Sequence, residues 1–272
     1  MTAFLTAVLL VGLAGVESGI DAESPVSQCL EVLDSARRDV ALVEVPETGT
    51  LCYGGPISPE GVAEAIASID NWPVDQPVNL VVRTLGGNVS SALDLAEVAT
   101  RDGRSLNTFV YKSCASSCAN YWFLGATSRH VLMDSFVLFH GGMTAGFLSS
   151  LRAQLQEEQA KRHPDSSRIV FLERDLASFP QLMSRERALL IRSRLDPDFL
   201  AFFDQDDEFS RRRCRRNRHY HGVVFSPEFL AAHGIDTVEN LGPQDRGQLD
   251  QLLQQRGGDP RSICWWSVAG GD

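Results

Sequence analysis

Thr108-Phe109-Val110-Tyr111-Lys112-Ser113-Cys114-Ala115-Ser116-Ser117-Cys118-Ala119 is the stretch on which the fold turns. An apolar β-rich run, Thr108 to Tyr111, ends in small residues that make a turn, and a helix follows from about Ser116 to Leu124. A serine at that junction has its hydroxyl at the positive end of a helix, where backbone N–H groups lack intrahelical partners. An oxyanion-generating nucleophile is well served there. The bland alternative is a helix-capping serine, the commonest use of Ser-Ser at such a place.

Working outward, the same alternation recurs. Val40 to Val45 and Leu51 to Ile57 read as strands. Ser58-Pro59 suits an N-cap and first-turn proline, and Val62, Ile66 and Ile69 follow at helical spacing. Pro77 precedes a continuous apolar strand, Val78 to Val82. Gly86-Gly87 then leads to a helix whose inner face is Val89, Ala92, Leu93 and Ala96. Downstream, His130 to Met133 and Phe136 to Phe139 are short strands split by Asp134-Ser135. Strands of this kind between helices predict an α/β fold with a mostly parallel sheet covered on both faces. From Ser149 to about Leu195 the chain is charged and helical, interrupted near His163-Pro164. Ser226-Pro227-Glu228 opens a further capped helix that ends at Gly234. The stretch from Gly257 to Asp272, Gly-rich with Trp265-Trp266, reads as peripheral.

The chain has 272 residues, 43% of them hydrophobic, enough for one large core. Its net charge of -10 disfavours a global nucleic-acid-binding role. Only Lys112 and Lys161 are lysines, which limits mechanisms that need a lysine base. No P-loop sequence occurs, so peptidase activity would be ATP-independent or coupled to a partner. Phe4 to Val16 is an uncharged apolar run, too short to span a bilayer comfortably and suited to a signal-peptide core, with an uncleaved membrane anchor or a buried helix as alternatives. Cys29, Cys52, Cys114, Cys118, Cys214 and Cys264 permit three disulfides in an exported, periplasmic or otherwise extracytoplasmic chain, with the pairing open.

A serine hydroxyl needs a base, and His140 ends a strand within Phe139-His140-Gly141-Gly142. Gly86-Gly87 is a candidate oxyanion loop. In a parallel sheet these gather at the carboxyl ends of the strands. The order and spacing of Thr84-Leu85-Gly86-Gly87-Asn88-Val89, Cys114-Ala115-Ser116-Ser117-Cys118, Gly125 with Arg129, Phe139-His140 and Gly234-Ile235-Asp236 resemble the ClpP/crotonase superfamily. The likeness is strongest to its ClpP-like serine peptidases, particularly exported members with a Cys-x-Ser-x-Cys nucleophile motif. The resemblance covers about a third of the chain. It implies a β-β-α superhelix over 38–245; the apolar start marks 1–22 as a signal peptide or anchor, and 246–272 reads as a tail. It implies Ser116 as nucleophile, His140 as base, and the N–H groups of Gly87 and Ser117 as oxyanion donors. Polypeptide or peptide substrates and a homo-oligomer are implied, with no cofactor and no metal.

The sequence departs from that pattern at Leu85 and Gly222, by a one-residue deletion between Gly125 and Arg129, and by a longer segment between His140 and Ser226. Leu85 stands for the family's proline. Gly222 stands where an orienting aspartate is expected, and no carboxylate lies between Glu208 and Glu228. Asp204, Asp206, Asp207 or the neutral Asn217 are candidate orienters. The competing readings are a catalytically inactive binding module, a Ser-Lys dyad through Lys161, an acyl-CoA enzyme without a Ser-His pair, and a zinc site using Cys114 and Cys118 or the loose cluster Cys214, His219 and His221. The run Arg211 to Arg218 reads as a solvated or partner-facing segment beside the acidic Asp204 to Glu208.

Overall fold

The computed structural model of the chain describes residues 24–35, 41–45, 48–201, 222–268 and 270–271. The apolar N-terminal run, the Arg211 to Arg218 segment, Asp204, Asp206, Asp207, Cys214, Asn217, His219 and His221 lie outside the described residues.

The backbone needs of the continuous apolar strands are met by a seven-stranded sheet. Strand β1 (Ala41–Val45) runs antiparallel to β2 (Thr50–Gly54). From β2 onward every pairing in this sheet is parallel. β2 pairs β3 (Val78–Thr84), β3 pairs β4 (Leu106–Ala115), β4 pairs β5 (Ser128–Val131) and β5 pairs β8 (Glu239–Asn240). β6 (Phe136–Leu138) also joins β4, beyond β5. The fold is therefore α/β with a mixed, mostly parallel sheet, as the sequence pattern predicts.

Both faces of the sheet are covered where α1 packs opposite α2 and α3, which is why β2 is buried along its whole length. Leu51, Tyr53, Leu80 and Val82 belong to the main core, with Val62, Ala65 and Ile69 of α2 (Pro59–Asp70) and Ala92, Leu93 and Ala96 of α3 (Val89–Ala99). Cys52 and Val81, one residue out of phase, pack instead with Cys29 and Leu33 of α1 (Pro25–Ser35). The Ser58 cap predicted from sequence forms, its Oγ accepting the Gly61 N–H at 3.1 Å, and Asn88, not read as a cap, accepts the Ser91 N–H through Oδ1 at 2.9 Å. A disulfide joins Cys29 to Cys52, tying α1 to the sheet.

β4 does the most to place the site. Val82 faces Val110, but Thr84 faces Cys114, so four residues of β4 oppose two of β3. The extra length is a bulge at Lys112, whose φ is +60° and whose N–H donates to Ser135 Oγ at 2.8 Å. Arg256 fastens this bend, donating to Lys112 O at 3.0 Å and also to Asp134 O. Past the bulge β4 exchanges β5 for β6 as its neighbour.

The C-terminal segment differs from the peripheral tail expected of it. Helix α7 (Arg246–Gln255) and strand β9 (Ile263–Ser267) form part of the body. β9 pairs parallel with β7 (Gly222–Phe225) and antiparallel with β10 (Gly270–Gly271) in a second, three-stranded sheet. Trp265 and Trp266 are both buried. The tryptophans supply apolar area that outweighs the Gly-rich context around them. Helix α6 (Pro227–Ala232) starts at the Ser226 cap and stops before Gly234, as read from sequence.

Helices α4 (Ala145–Ala160) and α5 (Ser166–Arg192) form a hairpin broken around Pro164, also as expected. Among the described residues no helix is long and apolar enough to cross a membrane. Cys114 is bonded to Cys118, and Cys264 is also disulfide-bonded. Such bonds fit an oxidising, extracytoplasmic environment.

Candidate active site

Ser116 is the first residue after β4 and takes a φ of +58°, a left-handed conformation that non-glycine residues adopt uncommonly. A left-handed residue in a tight strand-to-helix turn is the backbone arrangement that a nucleophile elbow also uses. Three contacts impose the turn. Ser116 N–H donates to Leu138 O at 3.0 Å, and its carbonyl accepts the Asn120 N–H at 2.9 Å. The Cys114–Cys118 bridge clasps the turn from either side. The helix that follows is a wide π-helical turn, Cys118–Phe123, within the span predicted as helix.

The Gly86-Gly87 loop lies against this elbow. A Cβ on Gly86 would meet Ser116 Cβ and Ala115 O, each at 2.6 Å, and the Gly86 φ is +92°. A Cβ on Gly87 would stand 2.3 Å from Ile57 O. Both positions therefore require glycine, by close approach as much as by conformation. The loop is strapped in place by Ile57, whose N–H donates to Gly86 O and whose carbonyl accepts from Asn88, each at 2.9 Å.

Gly87 is exposed. Its N–H is occupied, however: it donates to Ser117 Oγ at 2.9 Å, and the same hydroxyl donates back to Gly87 O at 3.2 Å. Ser117 N–H has no acceptor among the described residues.

His140 follows β6, whose Leu138 is in register with Ala115, so the histidine emerges on the strand next to the elbow. Its side chain reaches solvent. The protein crowded around the ring nonetheless disfavours the imidazolium and lowers its pKa below the ordinary 6.5. No hydrogen bond joins His140 to Ser116 Oγ among the described residues.

Gly222, where the resemblance expects a carboxylate, has no room for one. A Cβ there would meet Phe139 O at 2.6 Å and Leu138 Cγ at 2.9 Å. The resemblance residues Arg129 and Gly234-Ile235-Asp236 do come together. Buried Arg129 donates to Phe123 O at 2.9 Å, Leu124 O at 2.7 Å and Asp236 O at 3.4 Å, capping the carbonyl end of the π-helix. Burial lowers its pKa to about 10.

Two polar residues went unread in the sequence. Asn120 is buried and donates through Nδ2 to Gly141 O at 2.6 Å, while its Oδ1 is buried without a partner. Glu186 is 4% exposed, accepts the Met143 N–H at 3.0 and 3.2 Å through its two oxygens, and accepts the Tyr121 O–H at 2.8 Å. Burial pushes its carboxyl up to about 7. Glu186 is foreseeable in hindsight. It stands in the apolar series Leu172, Phe179, Leu182, Leu189 of a helix otherwise read as charged.

The alternative chemistries fare less well. Lys161 is paired with Glu158 at 2.6 Å, half-exposed, and its pKa is raised, the opposite of what a lysine base needs. Cys114 and Cys118 are committed to each other and cannot ligate zinc. Among the described residues no three His, Cys, Asp or Glu side chains gather as a metal would require. No family model and no curated protein matches this chain.

Proposed function

We propose that the protein is an exported serine hydrolase with a ClpP/crotonase-like fold, acting on peptides through an acyl-enzyme. The observation that carries the reading is Ser116 at positive φ between β4 and the π-helix, in contact with a glycine loop that tolerates no side chain. In the first step Ser116 Oγ attacks the substrate carbonyl carbon while His140 takes the hydroxyl proton. The C–N bond then breaks as His140 returns that proton to the departing amine. Water, deprotonated by His140, cleaves the acyl ester and frees Ser116. The N–H groups of Gly87 and Ser117 receive the oxyanion of each tetrahedral intermediate. For this, Ser117 Oγ must first turn away from Gly87.

The coarse architecture supports the superhelix reading: parallel strands, helices on both faces, and a small second sheet beside β6. Disulfides support export. A second reading, an inactive binding module, is favoured by the occupied Gly87 N–H and by the absence of a Ser116–His140 hydrogen bond among the described residues. Resting sites commonly tighten only with substrate, and in the hydrolase reading both contacts rearrange on binding. A fluorophosphonate probe decides between them. Covalent labelling mapped to Ser116 by mass spectrometry supports the hydrolase, and an unlabelled, folded protein supports the binding module.

A further inference from the structure

We infer that Glu186 and Asn120 are positioning residues that clamp the loop after His140 to the helix behind Ser116. For its purpose the inference rests on the hydrolase reading. For its geometry it rests on hydrogen bonds alone.

Gly141 O and Met143 N–H flank Gly142, and each is held by a different buried side chain: Asn120 Nδ2 grips the first and the Glu186 carboxylate the second. Asn120 is one turn beyond Ser116, whose carbonyl its own N–H reaches. Tyr121, the next residue, donates its hydroxyl to Glu186 and closes the circuit between α5, the π-helix and the loop. Gly142 completes the fit, since a Cβ there would stand 2.7 Å from Glu186 Oε1 and 2.7 Å from Leu200 Cβ. A packed leucine at 186 would avoid the desolvation that a buried carboxylate incurs. What the carboxylate offers instead is a directed grip on a loop that must keep His140 beside the elbow. Asn120 is itself buried, so its grip on Gly141 O is shielded from solvent.

The clamp is also sensitive to pH. The Tyr121 hydroxyl faces Glu186; the Arg187 guanidinium, close enough to lower its pKa, is paired with Asp198, and Arg185, also beside it in sequence, with Asp94 and Glu97. His140 is the nearest titratable residue in the loop's own sequence. The charged carboxylate offers lone pairs to both donors, Met143 N–H and Tyr121 O–H. A proton on it sets a third donor against them. The clamp therefore tightens as pH rises through about 7, the value to which burial pushes Glu186.

The test uses the full mature chain and its E186Q, E186A, N120A and Y121F variants, with two readouts. The first is backbone hydrogen exchange over residues 140–144. The second is the pH dependence of Ser116 modification by a fluorophosphonate. The wild type is expected to exchange slowly over the loop and to show a rise in labelling near pH 7. In E186Q, loop exchange accelerates and labelling falls, each about tenfold, and the rise near pH 7 disappears. Should E186A fail to fold, E186Q and Y121F still report. A labelled wild type whose E186Q and N120A variants keep slow exchange and an unchanged profile overturns the clamp alone. A wild type that never labels, with fast loop exchange in E186Q, overturns the hydrolase reading and leaves the clamp as a loop anchor.

Discussion

Ser117 Oγ engages both polar groups of Gly87, accepting its N–H at 2.9 Å and donating to its carbonyl at 3.2 Å. The hydroxyl thus stands in for the oxyanion that the proposed mechanism delivers to the same N–H. Ser117→Ala removes this competitor, while Ile57 still holds the glycine loop through two backbone bonds. A net hydrogen bond of about 1 kcal/mol limits the gain. Acylation by an activated ester is expected to quicken by a few fold, read as the burst rate in stopped flow. A loss of a hundredfold or more would instead make the Ser117 hydroxyl a working part of the site.

Ser116→Ala and His140→Ala should both behave unlike Ser117→Ala. Nucleophile and base act as a unit, so each change is expected to remove several powers of ten from hydrolysis, and the double variant little more. Ser116 makes no hydrogen bond through its side chain among the described residues, so the melting temperature of Ser116→Ala should barely move. Because burial lowers the His140 pKa below 6.5, the base is neutral from mildly acidic pH upward. Labelling of E186Q, which lacks the second ionisation, is expected to rise with pH through a single midpoint below 6.5. A midpoint well above 6.5 would mean that another group is the base.

How far such a site is legible in the sequence depends on how local its parts are. Ser116, Gly86-Gly87 and His140 each end a strand, and strand ends are written in short runs that any reader can follow. Asn120 and Glu186 act across distance. Asn120 is just one residue of a helical stretch until Gly141 O is seen above it. Glu186 is forty-six residues past His140, in a helix rich in arginine, and only its place among Phe179, Leu182 and Leu189 sets it apart. The second sheet stayed hidden for a related reason. Its strands β7 and β9 are separated by α6, β8 and α7, and nothing local in Trp265-Trp266 announces Val224 and Phe225 as partners.

The Cys29–Cys52 and Cys114–Cys118 disulfides should separate stability from activity. Cys29 and Cys52 enclose a separation of 23 residues, Cys114 and Cys118 one of 4. Loop-closure entropy makes the first worth about 3 kcal/mol and the second about 2 kcal/mol. Replacing Cys29 and Cys52 by alanine is therefore expected to lower the denaturation midpoint more. For labelling the order reverses, because only the Cys114–Cys118 bridge fixes the backbone on both sides of Ser116. Denaturant melts and probe kinetics on the two double variants check both halves, and the same ranking in both measurements would reject the division of labour.

The buried Glu186 carboxyl ties global stability to pH with a definite sign. Its folded pKa of about 7 lies above the ordinary 4.5, so in the window between them the folded protein binds the extra proton. The shift corresponds to about 3 kcal/mol, fully present below pH 4.5, lost progressively as pH rises and gone above about 7. His140 works in the opposite direction, since its lowered pKa favours the neutral folded form as pH rises through the range below 6.5. E186Q keeps the histidine and loses the carboxyl, so the difference between the two proteins isolates Glu186. Thermal melts from pH 5 to pH 8 are expected to show the wild type losing roughly 6–10 °C relative to E186Q across that range. The same pH rise tightens the local clamp on Met143, because the hydrogen bonds favour the charged carboxylate while burial opposes it. Loop exchange should therefore slow over the interval in which the whole molecule becomes easier to melt. Parallel trends in the two measurements would mean that Glu186 acts on the fold as a whole and holds no separate grip on the loop.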